Sequence, residues 1–126
     1  MSWQTYVDTN LVGTKHIAKA AIIGLKGGVW ATSPGFNISA EEQKALIDTF
    51  SNPETAQSAG LHIAGKKYFT LQVNDRSYYG KQGPDGLICV KTNQACLIGL
   101  YTSPTQPGDA TKTVEGLGDY LINSGY

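Results

Sequence analysis

Five aromatic residues carry the strongest chemical signal in this chain. Trp3 and Tyr6 stand near its start, Trp30 follows a Gly27-Gly28 pair, and Tyr120 and Tyr126 close the sequence. Such rings bury large apolar areas by stacking, and each indole or phenol adds a polar handle, N–H or O–H, at its edge. A groove lined with them suits a proline-rich segment, which arrives already in the polyproline II shape and so loses little entropy on binding. The five rings converge only if the two ends of the chain lie together on one face of the fold. Trp3 and Tyr6 could also be ordinary core rings. Against that, a chain terminus is a poorly ordered place from which to build a core.

Catalysis finds no foothold. The chain has no GxSxG elbow, HExxH pair, Walker loop or CxxC, and its two histidines, His16 and His62, are too far apart in sequence for a metal-ligand spacing. The expectation is no enzyme, no catalytic residue, no metal and no cofactor. Ten basic and ten acidic residues cancel, so no global field draws the chain onto nucleic acid. Charge is nonetheless uneven: residues 61–101 carry a local excess of +3, against −1 before and −2 after. Cys89 and Cys96 read as a buried reduced pair. With no signal peptide and no apolar stretch of membrane-spanning length, they point to a soluble cytosolic protein.

The elements that must position these rings follow from periodicity and punctuation. One domain over residues 1–126 is expected. Ser2 is a candidate N-cap for a short helix ending near Gly13, with Val7 and Leu11 pointing inward and Trp3 and Tyr6 off that stripe. Ile17–Leu25 and Val29–Thr32 read as a hairpin across Gly27-Gly28. Ser39 and Glu42 have capping-box spacing at the head of a helix to about Phe50, followed by a loop through Gly60. Leu61-His62-Ile63 makes a short strand with His62 as a sheet residue, and His16 is expected to be solvated. A meander follows over Lys67–Asp75, Arg76–Gln82, Leu87–Lys91 and Ala95–Tyr101, with a tight turn at Gly83-Pro84-Asp85-Gly86. Phe69, Leu71 and Val73 alternate with polar residues, which predicts that these three face the core. Connections this short demand antiparallel neighbours. After the proline-marked loop Thr102–Gln106, Pro107 opens a helix whose apolar stripe is Ala110, Val114, Leu117 and Leu121. The fold class is α+β: a central antiparallel sheet that needs helices on both faces.

The motifs, taken together, carry a resemblance. Met1-Ser2-Trp3-Gln4-Thr5-Tyr6-Val7-Asp8 with Leu11-Val12-Gly13-Thr14 resembles the opening of profilins. The likeness continues collinearly through Val29-Trp30-Ala31-Thr32-Ser33, Gly60-Leu61-His62-Ile63, Gly65-Lys66-Lys67-Tyr68, Asp75-Arg76-Ser77, Tyr79-Gly80-Lys81, Val90-Lys91-Thr92 and Asp119-Tyr120-Leu121-Ile122. It is closest in look to the profilins of fungi and amoeboid protists.

The resemblance implies a sheet with both terminal helices on one face and smaller helices on the other. It implies a cytoplasmic, cytoskeletal, monomeric protein that binds monomeric actin, promotes its nucleotide exchange and regulates its polymerisation. Proline-rich proteins such as formins, and phosphoinositide-containing membrane surfaces, are the other implied partners. Carried over by position, the proline groove comprises Trp3, Tyr6, Trp30, Tyr120, Leu121 and Tyr126. Actin contacts fall on Arg76, Lys81, Lys91 and Lys112, and phosphoinositide contacts on Lys67, Arg76 and Lys81. Thr9, Lys15-His16 and Gly116 depart from the usual pattern, Gly116 replacing a bulkier residue. A binding module for proline-rich or phosphoinositide ligands, without actin activity, is the second reading.

Overall fold

A computed structural model of the chain describes residues 3–103 and 105–126; Ser2, the expected N-cap, and Pro104 lie outside the described residues. Strands β1 (Lys19–Gly24), β2 (Val29–Thr32), β3 (Leu61–Ile63), β4 (Lys66–Val73), β5 (Ser77–Gln82), β6 (Asp85–Lys91) and β7 (Ala95–Tyr101) form one sheet in the order β2-β1-β7-β6-β5-β4-β3. Every neighbouring pair is antiparallel. The apolar runs of β6 and β7 lie at its centre, buried on both faces, as continuous apolar strands must be.

One face packs on helices α2 (Ala40–Ser51) and α3 (Pro53–Ala59), through Leu46, Phe50 and Ala56 against Ile23, Ile63, Tyr68, Tyr78, Leu87 and Ile98. The other packs on the two chain ends. Val7 and Leu11 come from the N-terminal helix, and Ala110, Val114, Leu117 and Leu121 from α4 (Pro107–Asn123); all but Leu117 are fully buried. The expected stripe of α4 and the expected two-sided covering of the sheet are both present.

Several local expectations need correction. The first helix is not a regular α-helix: α1 (Trp3–Thr5) is one turn, continued as a π-helix over Tyr6–Leu11 and a 3-10 turn over Val12–Thr14. The segment read as a loop after α2 contains α3. Pro53 stands at its first position, where a missing N–H costs nothing, and only Ala56 is buried, so no apolar period marked it. The turn after β5 is only Gly83-Pro84, since Gln82 already pairs with Asp85. Asn74 accepts from the backbone N–H groups of Arg76 and Ser77, both at 2.8 Å, which ends β4 early and delays β5.

The largest correction concerns β4. Phe69 and Leu71 face solvent, 65% and 63% exposed, while Tyr68 and Val73 face the core. A bulge between Thr70 and Gln72 opposite β5 shifts the register, so Val73 does not share a face with Phe69. Alternation in the sequence placed Val73 correctly and put Phe69 and Leu71 on the wrong side.

Candidate ligand-binding surfaces

The N-terminal helix is seated on the sheet by Val7 and Leu11. That leaves Trp3 and Tyr6 half-buried at its rim. Gln4 fixes the helix laterally, its amide donating to the Thr32 carbonyl of β2 at 2.9 Å and to Asp8 Oδ1 at 3.0 Å. Strand β2 carries Trp30, whose indole lies over Gly24 of β1. A Cβ there would sit 2.7 Å from Trp30 Nε1, so only glycine lets the ring lie flat. Gly27 and Gly28, at φ +100° and +90°, make the turn that returns β2 to this spot.

Helix α4 supplies the opposite wall. Burial of Leu121 turns Tyr120 outward, 52% exposed. The chain then hooks back. Tyr126 N–H donates to the Leu121 carbonyl at 2.8 Å, and the Tyr126 carbonyl accepts from Gln94 N–H at 2.7 Å and Thr92 Oγ1 at 3.0 Å. The Tyr126 ring thereby meets Trp3 edge-on at 5.3 Å between centroids. Trp3 is the hub, with Trp30 at 4.8 Å and Tyr6 at 5.6 Å; Tyr6 reaches Tyr120 at 6.2 Å. Five of the six residues expected to line a proline groove form this one exposed cluster. The sixth, Leu121, is fully buried and supports the cluster from behind.

This geometry presents donors to a ligand. Among the described residues neither indole N–H has a protein partner, and burial raises the Tyr6 phenol above its ordinary pKa, helped by its hydrogen bond with Tyr120. The Tyr6 phenol therefore stays protonated at neutral pH. Stacking faces edged by indole N–H groups without protein partners match a polymer whose only free backbone polar groups are carbonyls.

A second surface lies on the same sheet face, where the terminal helices stop. They cover β1, β7 and β6 but leave the outer half bare. Phe69 and Leu71 stand there, Lys81 pairs with Phe69 across β4 and β5, and the Lys67 ammonium lies 5.6 Å from the Phe69 ring centre. Leu71 and Lys81 also border a cleft of about 330 Å³ with Tyr101, Gln106 and Pro107 at the head of α4. Phe69 and Leu71 were missed as surface residues because their alternation looked like a core signal.

The expected basic residues do not form one patch. Lys67 and Lys81 flank Phe69. Arg76 precedes the far end of β5, about 16 Å from Lys81 at strand rise, and pairs with Asp119 of α4, which holds its guanidinium more firmly charged. Lys91 pairs across strands with Cys96, a residue of the α2–α3 core, and so stands on the opposite face. Lys112 is exposed on α4. Beside Arg76, Glu115 accepts from Ser77 Oγ at 2.9 Å and Tyr79 OH at 2.8 Å, tying β5 to α4.

His62 is exposed between two buried neighbours and pairs with Lys67; His16 Nδ1 lies 3.1 Å from Thr113 Oγ1. Cys89 and Cys96 are free and buried, and burial pushes both thiols up, away from the reactive thiolate. No group of three or more His, Cys, Asp or Glu that could hold a metal occurs among the described residues, and none of their helices is long and apolar enough to cross a membrane.

Comparison with known proteins places this geometry in context. The family model for profilin matches residues 1–126. Profilin-2 of Acanthamoeba castellanii is 52% identical over 126 residues, all of both chains, and profilin of Schizosaccharomyces pombe is 46% identical over 127, again all of both. The crystal structure of Acanthamoeba castellanii profilin II superposes with a TM-score of 0.96 at 51% identity, covering 99% of this chain and 100% of that one. Mouse profilin IIa, solved in complex with a double repeat from the FH1 domain of mDia1, shares the fold at 22% identity and TM-score 0.83, covering 100% of both chains.

Proposed function

The chain belongs to the profilin family, and from that premise we propose that it binds monomeric actin, promotes its nucleotide exchange and regulates its polymerisation while holding proline-rich ligands of the formin type. The observation that carries the reading is the ring cluster centred on Trp3, in which neither indole N–H has a protein partner among the described residues. A proline-rich segment stacks on these rings and accepts from their edges. The mouse relative solved with an FH1 repeat supports that class of ligand.

The actin contact falls on the uncovered half of the sheet. Phe69 and Leu71 supply apolar burial, and Lys81, with Lys112 and the head of α4, supplies steering toward an acidic surface. Arg76 lies at the margin of that contact, and Lys91, on the opposite face of the sheet, falls outside it. Lys67 and Lys81 are the pair best placed for a phosphoinositide headgroup, with Arg76 too far along β5 to share it. The protein acts by binding as a monomeric domain in the cytoplasm and cytoskeleton, and not as an enzyme on small molecules.

Passage of the protein and monomeric actin together over immobilised poly-L-proline tests the reading. Retention of both, with actin retained only when the protein is present, is expected. Flow-through of the protein overturns the groove; retention without actin leaves a proline-binding module lacking the actin function.

A further inference from the structure

The turn between β1 and β2 and the turn between β6 and β7 meet beside Trp30, at one end of the sheet. Between them is a cleft of about 500 Å³, walled by Gly24, Leu25, Lys26 and Gly27 on one side and by Asn93 and Gln94 on the other. Backbone hydrogen bonds fix both walls. Leu25 N–H donates to the Gln94 carbonyl at 3.0 Å, and Gly27 N–H donates to the Gly24 carbonyl at 3.0 Å. Trp30 borders the cleft and also stacks on Trp3, so the cleft begins where the row of rings ends.

The chemistry changes at that point. The rings carry no charge, whereas the cleft has one charged lining residue, Lys26, and no acidic one. Lys26 also borders a neighbouring cleft on the α2 side, where Lys44 and Asp48 stand, yet it makes no ion pair among the described residues. The side-chain amides of Asn93 and Gln94 have no hydrogen-bond partner among the same residues. All three side chains are exposed. An ammonium offers donors and no acceptor, and each amide adds two donors. A carboxylate is an acceptor of the opposite charge and answers this set. A proline residue does not, since its one free backbone polar group is a neutral carbonyl.

The ring steps of 6.2, 5.6 and 4.8 Å from Tyr120 to Trp30 match roughly five residues of polyproline II rise. A ligand that covers the rings therefore brings the residue beyond its Trp30 end to this cleft. Resting on the groove reading above, we propose that the cleft beside Lys26 selects proline-rich ligands whose tract is flanked at that end by an acidic residue. The flanking carboxylate pairs with the Lys26 ammonium and accepts from the amide of Asn93 or Gln94. Because Lys26 is exposed on a turn, the pair sits at the rim of the contact. It sorts one ligand from another more than it adds affinity, and salt screens it.

The test titrates end-blocked peptides into the full chain by intrinsic fluorescence: a tract of about six to eight prolines, and the same tract with a glutamate or a glutamine added at either end. Glutamine keeps the size of glutamate without its charge. At low salt, glutamate at one end should bind about two- to fivefold tighter than glutamine at that end, and the difference should fade as salt is raised. Lys26→Gln should abolish the difference and Lys26→Glu should reverse it, each judged against the same variant's binding of the all-proline peptide. Equal binding of glutamate and glutamine peptides by the wild type at both ends overturns the subsite while leaving the groove intact. A glutamate preference that survives Lys26→Gln also overturns it, because another base is then responsible. Failure of the wild type to bind even the all-proline peptide overturns the groove itself, and the subsite with it.

Discussion

The hydroxyl of Thr92, in the turn between β6 and β7, donates to the main-chain carbonyl of Tyr126, 34 residues later, at 3.0 Å. Gln94 N–H reinforces it at 2.7 Å, and Thr92 itself is only 4% exposed. The final residue is thereby anchored to the centre of the sheet through its backbone, which leaves its ring free to stand against Trp3.

Ring and anchor are separable. Tyr126→Ala removes an exposed ring and no core contact, so proline affinity should fall about tenfold while the melting temperature moves by a degree or two. Thr92→Val should lower both, because Ala95 N–H also donates to that hydroxyl and would be left unpaired at a cost of about 1–3 kcal/mol. Titration and thermal melts on the same samples decide it; a large melting drop for Tyr126→Ala would make the ring structural.

Phe69 lies 65% exposed beside Lys81, with no core role to lose. Phe69→Ser should leave the melting temperature unchanged or slightly raised and weaken actin by about 2 kcal/mol, roughly thirtyfold, if the ring is a buried anchor in the complex. Lys81→Glu should weaken actin in a salt-dependent way, by under about 1 kcal/mol at an exposed rim. Neither should alter polyproline binding. Unchanged actin affinity for both substitutions would move the contact off this half of the sheet.

Where the sequence was legible, one period answered one environment. The stripe of α4 and the continuous apolar runs of β6 and β7 each met a single partner layer, and their burial followed directly. Trp3 and Tyr6 were ambiguous because a half-exposed ring satisfies both the core reading and the groove reading until its neighbours are placed. Phe69 and Leu71 misled for a stronger reason. A strand with an interaction face has apolar residues on the side that folding leaves bare, and alternation carries no label for which side that is. The bulge at Thr70–Gln72 depends on pairing with β5 and has no local signature.

Glu42 gives the stability a pH dependence. It accepts from Ser39 N–H at 3.0 Å, Ala64 N–H at 3.1 Å and Gly65 N–H at 2.9 Å, linking the head of α2 to the β3–β4 turn. Partial burial works to raise its pKa, but these backbone donors outweigh it and leave the carboxyl below its ordinary value of 4.5. A lowered folded-state pKa means stability that is complete above the ordinary value and lost as pH falls through the folded one. Glu42→Gln should therefore melt several degrees below wild type at neutral pH, from a loss of about 1–2 kcal/mol. The gap should close as the buffer is taken below pH 4.5. A gap independent of pH would mean that shape, not charge, holds the turn.

Gly24 controls the Trp30 wall without touching the ligand. Its absent side chain leaves the space in which the Trp30 indole lies; a Cβ would come within 2.7 Å of Nε1, 2.9 Å of Cε2 and 3.0 Å of Cζ2. The strand backbone of β1 is paired on both sides and cannot retreat, whereas Trp30 is 38% exposed on an edge strand and can swing outward. Gly24→Ala should therefore move the indole and leave the core in place. The stacking of Trp30 on Trp3 at 4.8 Å is then lost, and with it one wall of the groove. Proline affinity should drop by about five- to tenfold, with actin binding and the melting temperature nearly unchanged. Fluorescence reports the displacement directly, since Trp3 and Trp30 are the two tryptophans of the chain: free Gly24→Ala should show a more water-exposed emission than wild type and a smaller change on adding poly-L-proline. Wild-type emission and wild-type affinity together would mean that the strand yields and Trp30 does not.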